Sequence, residues 1–395
     1  MTTLAVLGSA NLELPSIDET LRRTVVALDI VGHGVFSPAG QGLPPIAAAL
    51  AGAGRAVAQQ PPDESWPRLP VRTVADFDPM AVLGRKGLSR MSRTDQLAMA
   101  ACLSAVGPSA TGPASERTGI VLGVNVGSAG AQEAFFRDSF VQERPYLVNP
   151  SAFPGTLMNS AAGRTAIRLG VTGMNATVSG GSLASLHALR YARNALVNGH
   201  ADRLLVGGVE EASEPSAWAW HRSGALRPGS ALGEGCAVFV LQREDLHGST
   251  DDGGDRRLGK LLACEIGFAD PATQGPLGVA RRLADCVRSA LMRSGLPATE
   301  PVAVAPGAGA RRGWGGIERR ALRSAIGSVP QSRLVRIDDV FGETYAAGVA
   351  LQLAAVLARW QDGVTTPDNE RAALVTTVGP DGSVGALVVA RPTAH

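Results

Sequence analysis

The sequence predicts an α/β protein in two halves that meet near residue 250, and three observations carry that prediction. Short apolar runs of the fully buried kind alternate with segments whose apolar residues recur at helical spacing. The alternation stops at His247-Gly-Ser-Thr-Asp-Asp-Gly-Gly-Asp255, a polar, glycine-rich stretch that reads as a linker, and resumes after it. At 395 residues and 45% hydrophobic content, the chain is long for one core and suits two domains or a duplicated fold.

Residues 1–24 read as a polar leader. They have no basic stretch ahead of the first apolar residues and are interrupted by Asn11, Glu13 and Pro15, so no signal peptide is read there. The N-terminal half, 25–250, opens with a strand over Thr24–Val31, broken at Gly32-His-Gly34, and a loop rich in Pro, Gly and Gln over 37–80. Helical spacing covers Arg93–Ala105, with Asp95 near its start, and Arg117–Gly123 is a buried strand. Asn175–Ser179 is a strand, and Leu183–Val197 is a helix stopped by Gly199. Arg203–Val209 and Gly235–Leu241 are further strands. In the C-terminal half, 256–395, the order is strand Leu258–Ile266, helix Leu277–Ser294, strand Val302–Ala305, and helices Ile317–Ala325 and Ala346–Arg359. A hairpin of Ala372–Val378 with Val384–Ala390 closes the chain around Gly379-Pro-Asp-Gly382.

Composition excludes several function classes. Net charge is +2, and the 37 basic residues, all arginine but Lys86 and Lys260, are scattered rather than gathered into the basic face that nucleic acid requires. No apolar run reaches the ~18 residues of a membrane span, so a cytoplasmic protein is expected. Cys102, Cys236, Cys264 and Cys286 lie in apolar surroundings without CxxC spacing and read as buried hydrophobes. The glycines 123, 127 and 130 lack the spacing of a dinucleotide fingerprint, and no nicotinamide, flavin or metal cofactor is expected.

The most informative stretch is Asn175-Ala-Thr-Val-Ser-Gly-Gly-Ser-Leu-Ala-Ser185. A strand that turns at once into a helix presents its turn residue at the helix N-terminus, where backbone N–H groups and the helix dipole favour negative charge. Gly180 and Gly181 permit the sharp turn, and Ser182 follows them as either a nucleophile or the N-cap of the helix.

The wider sequence resembles the β-ketoacyl synthase branch of the thiolase-like superfamily. The pieces occur in family order: Val31–Gly40, Arg93–Ala105, Phe153–Asn159 with Ala162-Gly163, Gly173-Met-Asn175 and the elbow, Gly199–Glu211, Leu232–Val238, and Phe341–Gly348. The resemblance implies a five-layered αβαβα fold of two similar halves. It also implies a dimer in which the strand before the elbow pairs across a two-fold axis.

In this family the elbow carries a cysteine, two histidines assist decarboxylation, and a C-terminal loop supplies an oxyanion-hole N–H. By the resemblance, Ser182 stands at the cysteine, Pro306 at the first histidine, Glu343 at the second, and Pro380 at the donating loop residue. A thiol near pKa ~8.5 can be activated by a helix N-terminus, whereas a serine needs a base. Proline has no N–H to donate. Glu343 is a candidate base or a partner for Arg311 or Arg312, while the histidines match no family position; His187, five residues on from Ser182, is expected on another face of the helix. The resemblance therefore implies a non-condensing member of the chain-length-factor kind, the β subunit of a ketosynthase in type II polyketide or fatty-acid-like biosynthesis. Its partners would be a cysteine-containing ketosynthase or a second copy, and acyl carrier protein. Met158, Pro306, Phe341 and Pro380 are expected along the acyl tunnel. Two other readings are a Ser182-dependent acyltransferase and a scaffold that docks the carrier on Arg319, Arg320 and Arg323.

Overall fold

The computed structural model describes residues 26–52, 58–107, 116–244, 257–297, 300, 302–362, 366 and 370–392. The leader and the linker at 247–255 lie outside the described residues. The main strands are β1 (Leu28–Ser37), β2 (Thr118–Val124), β3 (Asn175–Ser179), β4 (Arg203–Glu210), β5 (Gly235–Arg243), β6 (Gly259–Phe268), β7 (Val302–Pro306), β8 (Ala372–Val378) and β9 (Ser383–Ala390). They run in the order β7-β8-β9-β6-β1-β5-β4-β2-β3. One half is β3-β2-β4-β5-β1, the other β6-β9-β8-β7, and they join where Leu28, Asp29 and Ile30 of β1 pair with Leu261, Lys260 and Gly259 of β6.

Period-two patterning in the strands sends alternate side chains to two cores. Leu204 and Val206 of β4 enter a central core, while Leu205 and Val209 face an outer one. The central core holds two helices, α3 (Ala184–Val197) and α7 (Gly348–Asp362), between the two halves of the sheet. The outer face of the first half is covered by α1 (Arg93–Val106), and that of the second by α5 (Pro271–Ser294) and α6 (Trp314–Ile326). Helices, sheet, helices, sheet and helices give the five αβαβα layers.

The start of α1 follows its sequence: Ser92 accepts from the Asp95 N–H and Asp95 accepts from the Ser92 N–H, a reciprocal cap. The first strand departs from expectation. It is not broken at Gly32-His-Gly34 but runs through both glycines, with a bulge between Ile30 and Gly32. The glycines are there because α1 presses on β1: a Cβ on Gly34 would lie 1.9 Å from the Ala101 carbonyl oxygen, and one on Gly32 2.4 Å from that of Ala105. The segment 37–80 is not loop throughout, since Pro44–Leu50 is helical. The helices Ala129–Val141 (α2), Ser160–Leu169 and Glu214–Ser223 (α4) also escaped the sequence reading.

The Gly34 contact predicts that Gly34→Ala lowers the free energy of unfolding by about 3 kcal/mol in urea titrations. Gly163→Ala, in a helix where a Cβ meets nothing within 4 Å, is the control and shifts it by less than about 1 kcal/mol. Equal midpoints for the two variants would contradict the close seat of α1 on β1.

Candidate functional site

β3 ends at Ser179, and Gly181 takes φ +54° to begin a 3₁₀ turn, Gly181–Leu183, that feeds directly into α3. A side chain at Gly181 would be strained by that φ and would also meet the Tyr345 hydroxyl oxygen at 2.9 Å. The sheet holds the elbow from below. A Cβ on Gly123 of β2 would lie 2.5 Å from the Ala184 carbonyl carbon, and one on Gly208 of β4 would lie 2.6 Å from the Ser185 Cβ. Ser182 is 2% exposed, and its Oγ has no hydrogen-bond partner. The N-cap of α3 is Leu183, with no side-chain cap bond, so Ser182 does not cap the helix. A buried hydroxyl left unpaired costs about 1–3 kcal/mol.

A buried ion pair stands where the resemblance put the second histidine. Arg311 Nε donates to Glu343 Oε2 at 2.8 Å and Arg311 Nη2 to Oε1 at 3.2 Å; both side chains are nearly inaccessible, at 2% and 3%. The same guanidinium donates to the Val378 carbonyl and, at 3.4 Å, to that of Gly307. Burial works against the Arg311 cation, but the charge and hydrogen bonds of Glu343, with the charge of Glu318, hold its pKa above the ordinary value. Glu343 Oε1 also accepts the Tyr345 N–H at 3.0 Å. Of the two roles open to Glu343, pairing with Arg311 is the one found; as a base for Ser182 it is already engaged.

More carboxylates crowd this pair. Glu318 accepts from the N–H groups of Gly307 and Ala308 and from the Thr376 hydroxyl, and burial raises its pKa. Burial, then the charges of Glu318 and Glu343, push Asp338 up to about 7. Burial, with Glu211 and Glu343 adding to it, pushes Glu210 up to about 8, although Glu210 accepts the Ala346 N–H at 3.2 Å.

The remaining expected site residues separate. Pro306 ends β7, half-buried, beside the Gly307 that Arg311 and Glu318 bind. Phe341 is fully buried in the central core. Met158 is 40% exposed, near Gly127. Pro380 lies exposed on the β8–β9 turn, and the residue of that turn beside Ser182 is Gly379, where a Cβ would be 3.3 Å from Ser182 Oγ. The Gly379 N–H is already donated to Ser383. Arg319, Arg320 and Arg323 lie exposed on α6. His187 is nearer the elbow than expected: a Cβ on Gly180 would lie 2.7 Å from its ring, and burial lowers its pKa. All four cysteines are buried away from the elbow. Burial pushes the Cys102 and Cys264 thiols to about 12, Cys286 to about 11, and Cys236 well above its usual value.

Sequence reasoning missed Tyr345. It is the one non-glycine residue with positive φ (+38°) among the described residues, a conformation costing about 1–2 kcal/mol. Its ring meets the edge of Trp220 from α4, with centroids 5.4 Å apart. Among the described residues no three His, Cys, Asp or Glu side chains gather as metal ligands, and no helix is long and apolar enough to cross a membrane.

Two predictions follow from this geometry. Arg311→Leu strands Glu343 without its cation and lowers unfolding free energy by about 3–5 kcal/mol, whereas Arg311→Leu with Glu343→Leu recovers most of that loss. Additive losses in the double variant would contradict the pairing. The second prediction concerns pH. Glu210 and Asp338 have folded pKa values raised above their unfolded ones, so the folded chain keeps protons that the unfolded chain has released. Unfolding free energy therefore falls as pH rises from about 4 to about 8. Glu210→Gln flattens the part of that fall nearest neutrality in denaturation midpoints measured across pH; an unaltered slope would show that Glu210 does not hold its proton.

Comparison with known proteins places this architecture. Residues 27–247 match the β-ketoacyl synthase N-terminal domain. The ishigamide ketosynthase/chain length factor is 31% identical and superposes with TM-score 0.77 over 93% of this chain and 100% of that one. A β-ketoacyl synthase of Burkholderia phymatum has the same fold, with TM-score 0.81 over 93% of this chain and 100% of that one, at 18% identity. The 3-oxoacyl-[acyl-carrier-protein] synthase 2 of Vibrio harveyi is 28% identical over 190 residues, 43% of this chain and 46% of that protein. The match thus spans about half the length of such synthases. With the five layers, the glycine elbow and the domain match together, the chain belongs to the β-ketoacyl synthase family.

Proposed function

We propose that this chain is a non-condensing ketosynthase homologue, the chain-length-factor partner of a cysteine-containing ketosynthase acting on acyl chains borne by acyl carrier protein. The observation that carries the reading is the elbow itself. Its strand, glycine turn and helix are intact, yet the residue they present is a serine whose hydroxyl has no base, while every cysteine is buried elsewhere with a raised pKa. A condensing enzyme needs a thiolate there, and an acyltransferase needs a base on the serine; the elbow has neither. The likeness at 31% identity to a ketosynthase/chain length factor supports the same reading. So does the likeness in fold to a type II ketosynthase solved with its acyl-carrier protein.

The exposed surface of the N-terminal half suits a ketosynthase-type partner. β3 is a sheet edge and half-exposed. On and just after the helix Ala129–Val141, Phe136, Phe140, Val141, Tyr146 and Leu147 expose large apolar side chains, which an isolated chain in water does not ordinarily gather. Co-expression with a cysteine-containing ketosynthase encoded beside this chain is expected to yield a 1:1 complex whose condensing activity requires both subunits. Phe140→Asp, at a side chain 86% exposed, is expected to reduce co-purified partner at least about tenfold without moving the unfolding midpoint. A homodimer indifferent to that ketosynthase would overturn the proposal.

A further inference from the structure

We infer that the hydroxyls of Ser182 and Tyr345 together receive one carbonyl oxygen of a bound acyl chain, a thioester or ketone. The inference rests on the proposed acyl-binding role and adds to it the contact that reads the chain. Its starting point is the Ser182 Oγ, which is buried and unpartnered. A hydroxyl offers one donor and two acceptor positions, and buried ones are nearly always used. Left unpaired in a closed elbow, this one calls for a partner that the chain itself does not supply.

Tyr345 is the second half of the contact. Its phenol oxygen is the atom nearest to where a Gly181 side chain would begin, one residue before Ser182, and it makes no hydrogen bond to a described residue. The ring is half-buried, and its backbone sits in the left-handed region where a tyrosine is strained. Strain of this kind persists only where the surroundings impose it, and here they do: Glu343 accepts the Tyr345 N–H, Arg311 holds Glu343, and Trp220 abuts the ring. The imposed conformation is the one that brings the phenol to the elbow.

The surroundings also select the chemical class. Glu210, Glu318, Asp338 and Glu343 lie close by, and the Arg311 cation is already bound to Glu343 and to two carbonyls. A carboxylate or phosphate would find no free cation beside the elbow among the described residues, because Arg311 is already committed to Glu343 and to two carbonyls. A neutral carbonyl, which needs only donors, suits two hydroxyls.

The test compares two probes on the full chain by calorimetric titration: octanoyl-pantetheine, a thioester, and S-octyl-pantetheine, the thioether without the carbonyl. The wild-type chain is expected to prefer the thioester at least about tenfold, and Tyr345→Phe and Ser182→Ala each to cut that preference about fivefold with thioether binding unchanged. Thioether binding reports that each variant keeps its fold and site. A preference that survives Tyr345→Phe overturns this inference and leaves the proposed function standing. Failure of the wild-type chain to bind either probe overturns both, and octanoate binding as tightly as the thioester overturns the assignment to a neutral group.

Discussion

The site is organised by one buried cation. Arg311 reaches three separate stretches of chain: the turn after β7 through Gly307, the end of β8 through Val378, and the segment before α7 through Glu343. Two of these stretches then touch the elbow, since Gly379, next to Val378, lies against Ser182 and Tyr345, two residues after Glu343, against Gly181. A buried ion pair adds little net stability once desolvation is counted, but breaking one is costly. Its effect here is therefore on geometry, holding three loops in one arrangement around the elbow.

That arrangement has a chemical consequence. With Glu343 committed to Arg311 and to the Tyr345 amide, and Glu210 held protonated near neutrality by burial, neither carboxylate is in a position to take a proton from Ser182. The dipole of α3 favours negative charge at the elbow but contributes only about 0.3–1 kcal/mol in ordinary settings, far short of ionising an alcohol. A thiol at this place would be a different matter, because its pKa lies within reach of such a field. An oxygen in place of a sulfur at position 182 thus removes the one nucleophile that this elbow could ionise.

Much of the fold was legible because burial on both faces of a strand leaves a continuous apolar run, as in Arg203–Val209 and Ala372–Val378. What misled was glycine. Gly32 and Gly34 read as a break, whereas they mark the place where a helix lies on the strand, a contact that no local pattern announces. α2 was missed for a related reason: it has no buried side chain in the isolated chain, so its apolar residues follow a surface rather than this chain's own core. In the site, the elbow and the Arg311–Glu343 pair could be read from motif and charge. Tyr345 could not, because its importance lies in a positive φ and a neighbour 164 positions away in the chain, Gly181. In the β8–β9 turn, the close approach to Ser182 belongs to Gly379 rather than to its neighbour Pro380.

The elbow is held more firmly than an idle turn requires. Gly123 and Gly208 leave out the side chains that would push α3 away from the sheet, and Ser185, the third residue after Ser182, accepts the Ala350 N–H and so ties the two central helices together. Tyr345 is kept in an unfavourable backbone conformation at the same place. Strain and tight packing both subtract from stability unless something is gained from the geometry they enforce. Here the enforced geometry presents two unbonded hydroxyls beside a cation already bound to Glu343, which has little use for anion binding. It fits the recognition of a neutral group that enters, is held by its oxygen, and leaves unchanged.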